Sequence, residues 1–259
     1  MLQRKPTRIE LKSEDKAEYE AVREERRQAE LQAAAQAAGK APLSPLFLVR
    51  RRRLLPVPPP MVEVEVKLRL ADAAAHGKVA EALRPGYRTT HQQENYFFDG
   101  AAQELSSRRV VLRVRFYNQD KKAVITVKGK QVLQDGIGRA PEEEEAVVPA
   151  LARSFLAEPA KLLALGTPLL EGLKSSAGVQ QLVCLGGFDN TRQEFEWGGH
   201  LLELDETKFE WGTLYELECE TAEPERLRGK LESFLTGLGA AYSYSTTTKF
   251  ANFRNRTLQ

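Results

Sequence analysis

Charged residues that alternate with apolar ones carry the chemistry legible in this chain. The stretch Val62–Leu70 reads VEVEVKLRL and sets Glu63, Glu65, Lys67 and Arg69 at every second position. VLRVRF, from Val111 to Phe116, repeats the pattern with Arg113 and Arg115, and AVITVKGK, from Ala123 to Lys130, repeats it with Thr126, Lys128 and Lys130. Further on come the run Glu142–Glu145, TRQEFEW with Arg192, HLLELDET with Glu203 and Asp205, and LYELECET with Glu216, Glu218 and Glu220. Arginine and lysine grip phosphate oxygens. Clustered carboxylates bind hard cations such as Mg²⁺ or Mn²⁺, which also take oxygens from phosphate. The two sets together suit phosphoanhydride hydrolysis or phosphoryl and nucleotidyl transfer.

Period-two alternation predicts strands, each with one charged and one apolar face. Short turns at Asn118–Lys122 and Gly198-Gly199 make neighbouring strands antiparallel. Helical spacing of apolar residues predicts helices over Ala71–Leu83, Pro149–Leu165 and Pro224–Leu238. The charged face of a lone strand normally meets water. Here the charge type segregates by strand: Arg-x-Arg on one, Lys-x-Lys on another, Glu-x-Glu on several. A closed barrel accounts for this economically, since each of its strands alternates inside and outside. Alternation alone permits both arrangements. If the charged faces turn inward, the lumen is wet and holds a polyanion with divalent metal, because empty burial of so many charges is costly.

The 259 residues, 42% apolar and 29% charged, describe a soluble globular protein able to bury a core without staples. Two cysteines, Cys184 and Cys219, exclude a disulfide scaffold and a four-cysteine zinc site. His76, His91 and His200 share no metal-ligand spacing. No apolar run reaches the ~18 residues of a membrane span. The net charge of +2 hides a split: residues 1–60 hold 13 of the 38 basic and 8 of the 36 acidic residues, leaving an acidic excess on the remainder. Nucleic acid is therefore not an expected partner, despite the basic cluster Arg50–Arg53. Lys12–Ala38 is rich in helix formers but poor in large apolar residues, and Gly39–Pro60 is a proline-punctuated linker. Residues 1–60 read as a disordered or helical extension without a specific task. A targeting or interaction arm is the other reading, though transit peptides are poor in acidic residues. The location expected is cytoplasmic.

In order, Glu63-Val64-Glu65-Val66-Lys67, Arg113-x-Arg115, Lys128 with Lys130, Glu142–Glu145, Arg192, Glu203-x-Asp205, Glu216-x-Glu218 and Lys249 in TTTKFANF resemble the CYTH superfamily of triphosphate tunnel metalloenzymes. HQQENYFFD, ELDETKFEWG and YELECET look most like its plant branch, whose members act on inorganic tripolyphosphate. The resemblance spans about residues 61–254, between the extension 1–60 and a tail 255–259. It implies an α+β fold, a closed eight-stranded antiparallel tunnel with flanking helices. It also implies a hydrolase of a small triphosphate that uses Mg²⁺ or Mn²⁺, with two ions expected. Glu63, Glu65 and Lys67 would be catalytic. Lys67, Arg69, Arg113, Arg115, Lys128, Lys130, Arg192 and Lys249 would bind substrate. Glu63, Glu65, Glu145, Asp205, Glu216 and Glu218 would hold metal, with Glu143 competing with Glu145 and Glu220 with Glu218. Glu145 and Asp205 would either complete the metal shell or anchor basic residues. Alternatives are a thiamine triphosphatase, a class IV-type adenylate cyclase, or a polyphosphate-binding module without turnover. Neither histidines nor cysteines are needed, and Phe97-Phe98, Trp197 and Trp211 read as packing residues.

Overall fold

The computed structural model describes residues 62–259. The expected extension 1–60 and its linker lie outside the described residues. Ten strands form one sheet: β1 (Val62–Leu70), β2 (Tyr87–Gly100), β3 (Val111–Tyr117), β4 (Lys122–Lys128), β5 (Val132–Gln134), β6 (Ile137–Val147), β7 (Leu182–Trp197), β8 (His200–Phe209), β9 (Gly212–Glu220) and β10 (Tyr242–Tyr244). All pairings are antiparallel. The order β1-β9-β8-β7-β2-β3-β4-β6 closes on itself because β6 also pairs with β1, Val62 facing Pro141 and Val66 facing Ile137. The result is the expected eight-stranded barrel. The short strands β5 and β10 extend it beside β6 and β1.

Among the described residues seven α-helices are interspersed with the strands: α1 (Ala73–Leu83), α2 (Glu104–Ser107), α3 (Pro149–Ala157), α4 (Ala160–Leu163), α5 (Pro168–Ala177), α6 (Pro224–Gly237) and α7 (Lys249–Asn255). Asp72 caps α1 by accepting the Ala75 N–H at 2.8 Å, and Thr248 caps α7 by accepting that of Ala251 at 3.0 Å. The helix expected over Pro149–Leu165 is broken into α3 and α4 at Glu158-Pro159, since the residue before proline is steered out of the helical region. Gly198 and Gly199 both have positive φ (56° and 82°), as a tight β7–β8 hairpin requires.

The apolar faces decide which way the charges point. Leu112, Val114, Phe116 and Ile125 of β3 and β4 pack outward against Phe155, Leu162, Leu170 and Leu173 of α3–α5. Val66, Leu68, Leu202, Leu204 and Leu217 pack outward against Val79 and Leu83 of α1 and Leu227, Leu231 and Leu235 of α6. Each fully buried Leu or Phe side chain contributes roughly 1.5–3 kcal/mol. The charged faces are thereby committed to the lumen. A smaller aromatic cluster, Phe97, Phe188 and Phe209 with Phe250 and Phe253 of α7, lies apart from both helical layers.

Candidate active site

The lumen is a cavity of about 1260 Å³. Six sequence-selected cations line it: Lys67, Arg113, Arg115, Lys128, Arg192 and Lys249. Five come from barrel strands, whereas Lys249 enters from α7. The lining carboxylates are Glu63 and Glu65 of β1, Glu142 and Glu144 of β6, Glu203 of β8, and Glu218 and Glu220 of β9.

Register pairs these groups across strands. Lys67 faces Glu218, and its ammonium lies 2.6 Å from Glu218 and 3.1 Å from Glu65. Lys128 faces Glu142, at 2.6 Å, and reaches Glu63 at 2.7 Å. Arg192 faces Asp205 and grips it with two nitrogens, Nε at 2.8 Å and Nη2 at 2.6 Å, while also touching Glu203 and Glu218. Lys249 donates to Asp205 at 2.5 Å and Glu218 at 2.7 Å. Arg115 donates to Asn95 at 2.7 Å, and Arg113 to Thr126 at 3.1 Å with Glu142 and Glu144 each 3.6 Å away.

Burial and neighbours set the protonation of these groups. Burial opposes charge on Lys67, but Glu218 and Glu65 outweigh it and hold the ammonium well above the ordinary lysine range. Burial, with Arg115 alongside, pushes Arg113 down to about 10. Burial and a hydrogen bond with Glu63 push Glu142 up to about 8, while Glu63 is drawn down to about 2 against its burial by that bond and by Lys128. Burial raises Glu65 and Glu220, and carries Glu203 up to about 7. Carboxylates crowded until some retain protons are strong acceptors for positive charge.

Four selected residues are placed differently from expectation, and a fifth, Asp205, takes one of its two expected roles. Arg69 is buried and does not line the cavity; it donates to Glu216 at 3.0 and 3.3 Å and to the Gln259 carbonyl at 2.5 Å. Glu216 is likewise enclosed, accepting from Arg69 and from Ser245 at 2.7 Å. Asp205 is fully buried and spends its oxygens on Arg192, Lys249 and Asn190, so it anchors basic residues. Glu145 stands opposite Ile125 and shares its outward parity, whereas Glu142 and Glu144 oppose Lys128 and Thr126. Lys130 is exposed beyond the end of β4. None of these five reaches the cavity wall.

Sequence reasoning passed over Glu142, Glu144 and Glu203 as ligands and kept Glu220 only as a competitor. The parity of a four-glutamate run cannot be read without the register of β4. Phe97 packs as expected, in the aromatic cluster with Phe188 and Phe250 that borders the cavity, while Phe98 packs outward. Arg109, Arg254 and Asn190 line the cavity without having belonged to any motif, and Asn95 of HQQENYFFD lines it without having been singled out. The expected tail 255–259 is docked, with Asn252 Oδ1 accepting from Thr257 and Gln259 at 2.8 Å each. Cys219 is buried, its thiol pushed up to about 12, and His91 pairs with Glu194 at 3.2 Å.

The carboxylates of the cavity form a candidate donor set for a metal ion. Glu63 is hydrogen-bonded to both Glu142 and Glu220, and Glu65 lines the same cavity. Only oxygen donors are offered, which fits a hard divalent cation and excludes a soft one. Among the described residues no three acidic, His or Cys side chains are yet gathered around one point. Lys128 and Lys67 stand between them.

Comparison with known proteins agrees with this architecture. The family model for the CYTH domain matches residues 61–251. Residues 1–45 match that of the anaphase-promoting complex subunit CDC26, a likeness that the composition of the segment did not suggest. A Hippeastrum protein, described as an adenylyl cyclase candidate with a dominant triphosphatase activity, is 42% identical with a TM-score of 0.74, over 76% of this chain and 97% of that one. An adenylate cyclase candidate from Bacillus halodurans shares the fold at 18% identity and TM-score 0.59, over 74% of this chain and 98% of its own. So does a Pyrococcus horikoshii protein at 19% and 0.51, over 74% and 99%. Curated proteins gave no match. With the motifs in order on the strands of a closed tunnel and the domain match spanning them, the chain belongs to the CYTH family.

Proposed function

We propose that the tunnel hydrolyses the terminal phosphoanhydride of a small triphosphate, inorganic tripolyphosphate foremost, with Mg²⁺ or Mn²⁺. The observation that carries this reading is the convergence of eight cations and seven carboxylates on one cavity. The likeness to the Hippeastrum triphosphatase supports it. Tripolyphosphate is a flexible multiply charged chain, and cations on opposite walls hold it extended. Lys67, Arg192 and Lys249 would take oxygens at one end and Arg113, Arg115 and Lys128 at the other. Water attacks the terminal phosphorus, the bridging P–O bond breaks, and orthophosphate and pyrophosphate leave. The fixed cations stabilise charge as it shifts to the bridging oxygen, without reorganising. Glu63 and Glu65, with Glu142 and Glu220, would hold the divalent cation. When bound, it supplies Lewis acidity to phosphate oxygens and to the attacking water.

The aromatic wall of Phe97, Phe188 and Phe250 favours a second reading, acceptance of an organic triphosphate. ATP, thiamine triphosphate and tripolyphosphate, presented in parallel to the full chain with Mg²⁺, Mn²⁺ or chelator, separate the two. Metal-dependent phosphate release from tripolyphosphate, lost in Glu65→Gln, is expected. Cyclic AMP from ATP would establish a cyclase instead, and tight binding without turnover a polyphosphate-binding module. The domain limits proposed are 1–60, 61–254 and 255–259. Residues 1–45, on their likeness to CDC26, would act as a separate protein-binding segment. Co-purification of that segment with anaphase-promoting complex subunits tests this.

A further inference from the structure

Behind the cationic wall lies a row of neutral polar residues, two of them within quoted motifs, Gln93 in HQQENYFFD and Thr207 in HLLELDET, but none given a role by the sequence analysis. Gln93 of β2, Asn190 of β7 and Thr207 of β8 sit directly opposite one another across three adjacent strands. All three are buried, and Gln93 and Thr207 do not reach the cavity. Thr207 Oγ1 donates to Asn190 Oδ1 at 2.7 Å. Asn190 Nδ2 donates to Gln93 Oε1 and to Asp205 Oδ1, each at 3.0 Å. Asp205 Oδ1 also accepts from Arg192 Nε, and its Oδ2 accepts from Arg192 Nη2 and Lys249 Nζ. Each carboxylate oxygen thus accepts two bonds, which fills the acceptor sites of the group and fixes its plane.

We infer that Thr207 and Gln93 are positioning residues that set Arg192 and Lys249 through Asn190 and Asp205. The effect on substrate rests on the triphosphatase reading above. A carboxylate cannot donate to Asn190, so the amide must present Nδ2 to Asp205 and Oδ1 to the opposite side. Thr207 supplies the donor that makes this orientation the stable one, and Gln93 takes the second N–H. Without the hydroxyl, Asn190 Oδ1 is buried with no donor, and the amide is no longer held in its plane from that side. An amide that can tilt slackens its Nδ2 bond to Asp205, the carboxylate loses its fixed plane, and the two-nitrogen grip on Arg192 loosens. Arginine recognises phosphate through a planar fork, so an error in its plane weakens substrate capture.

The test uses the full chain carrying Thr207→Val, which keeps the shape, and Thr207→Ser, which keeps the hydroxyl. Gln93→Met is a second route to the same amide. Thr207→Val and Gln93→Met are expected to raise KM for tripolyphosphate about tenfold with a smaller change in kcat, and Thr207→Ser to restore it. A packing role alone would lower the melting temperature and leave that split unmoved. An independent readout is the Arg192 Nε–H signal in an arginine-¹⁵N spectrum, assigned by its loss in Arg192→Lys. In the wild type it is expected to exchange with water at least about tenfold more slowly than that of an exposed arginine, and to accelerate in Thr207→Val. Fast exchange in the wild type overturns the inference even if no variant folds. So does a folded Thr207→Val with unchanged KM and exchange. Slow Arg192 exchange in a protein that cleaves no triphosphate would instead sink the triphosphatase reading and leave the positioning intact.

Discussion

Lys67 and Glu218 face each other on adjacent strands, 2.6 Å apart, inside a cavity that both line. Glu65 lies 3.1 Å from the same ammonium. This cation is fully engaged before any substrate arrives. Phosphate must therefore compete with carboxylates, and a divalent cation on those carboxylates would release the lysine to the phosphate. On the proposed triphosphatase reading, metal and substrate binding would be coupled by this arrangement, each favouring the other.

Removing the lysine separates the two contributions. Lys67→Met should lower kcat/KM for tripolyphosphate by about a hundredfold or more, the range seen when one preorganised charge donor is lost. Steady-state phosphate release at fixed Mg²⁺ checks this, and a change within threefold would remove Lys67 from the phosphate-binding set.

The direction of the glutamate run can be read by a paired substitution. Glu142→Gln should cost at least about tenfold in kcat/KM, because that residue bonds Glu63 and Lys128 within the cavity. Glu145→Gln, on the outer face, should stay within about twofold. Equal losses at both positions would contradict the register of β4 against β6.

Stability of the metal-stripped protein should fall as pH rises from about 5 to 9. Glu142 and Glu203 have folded-state pKa values of about 8 and about 7, raised first by burial. A raised carboxylate binds its proton more tightly in the folded state, so its contribution is complete below the ordinary carboxylate value. It is lost as pH climbs through the raised one. Melting curves in chelator should show this slope, and the double variant Glu142→Gln/Glu203→Gln should flatten it. A melting temperature that rises over this range would refute the assignment.

Added Mn²⁺ or Mg²⁺ should raise the melting temperature by several degrees, and more at pH 8 than at pH 6, since protons and metal compete for the same oxygens. Glu65→Gln should remove most of the shift. Thermal scans with and without chelator decide, and an equal shift in the variant would move the metal away from Glu65.

Much of this was legible because period-two alternation survives unbroken in the short strands. VEVEVKLRL and VLRVRF gave both the strands and their two faces. The inward direction of the charges was not legible, since it depends on α3–α6 covering the other face. The strand β2 was missed as an element because HQQENYFFDG mixes polar and aromatic residues on its lumen side. Helix α5 also went unread. Arg69 and Glu216 carry the right residue types at the right parity but sit too deep, where Arg69 holds one Glu216 oxygen at 3.0 Å and Lys249 approaches the other at 3.2 Å. Parity chooses the face, and depth along the barrel is set only by the stagger of eight strands and by α7. The amide row beneath Asp205 had no sequence signal, as a threonine, an asparagine and a glutamine on separate strands acquire meaning only through register.

The closed ring of strands divides the mutational burden between two separate populations of positions. Substitutions on the inward side retune what the tunnel accepts and hardly touch the packed layers that hold it together. Substitutions on the outward side do the reverse. A single inserted residue within any barrel strand would exchange the two populations beyond that point, burying glutamate among leucines and emptying the lumen of charge.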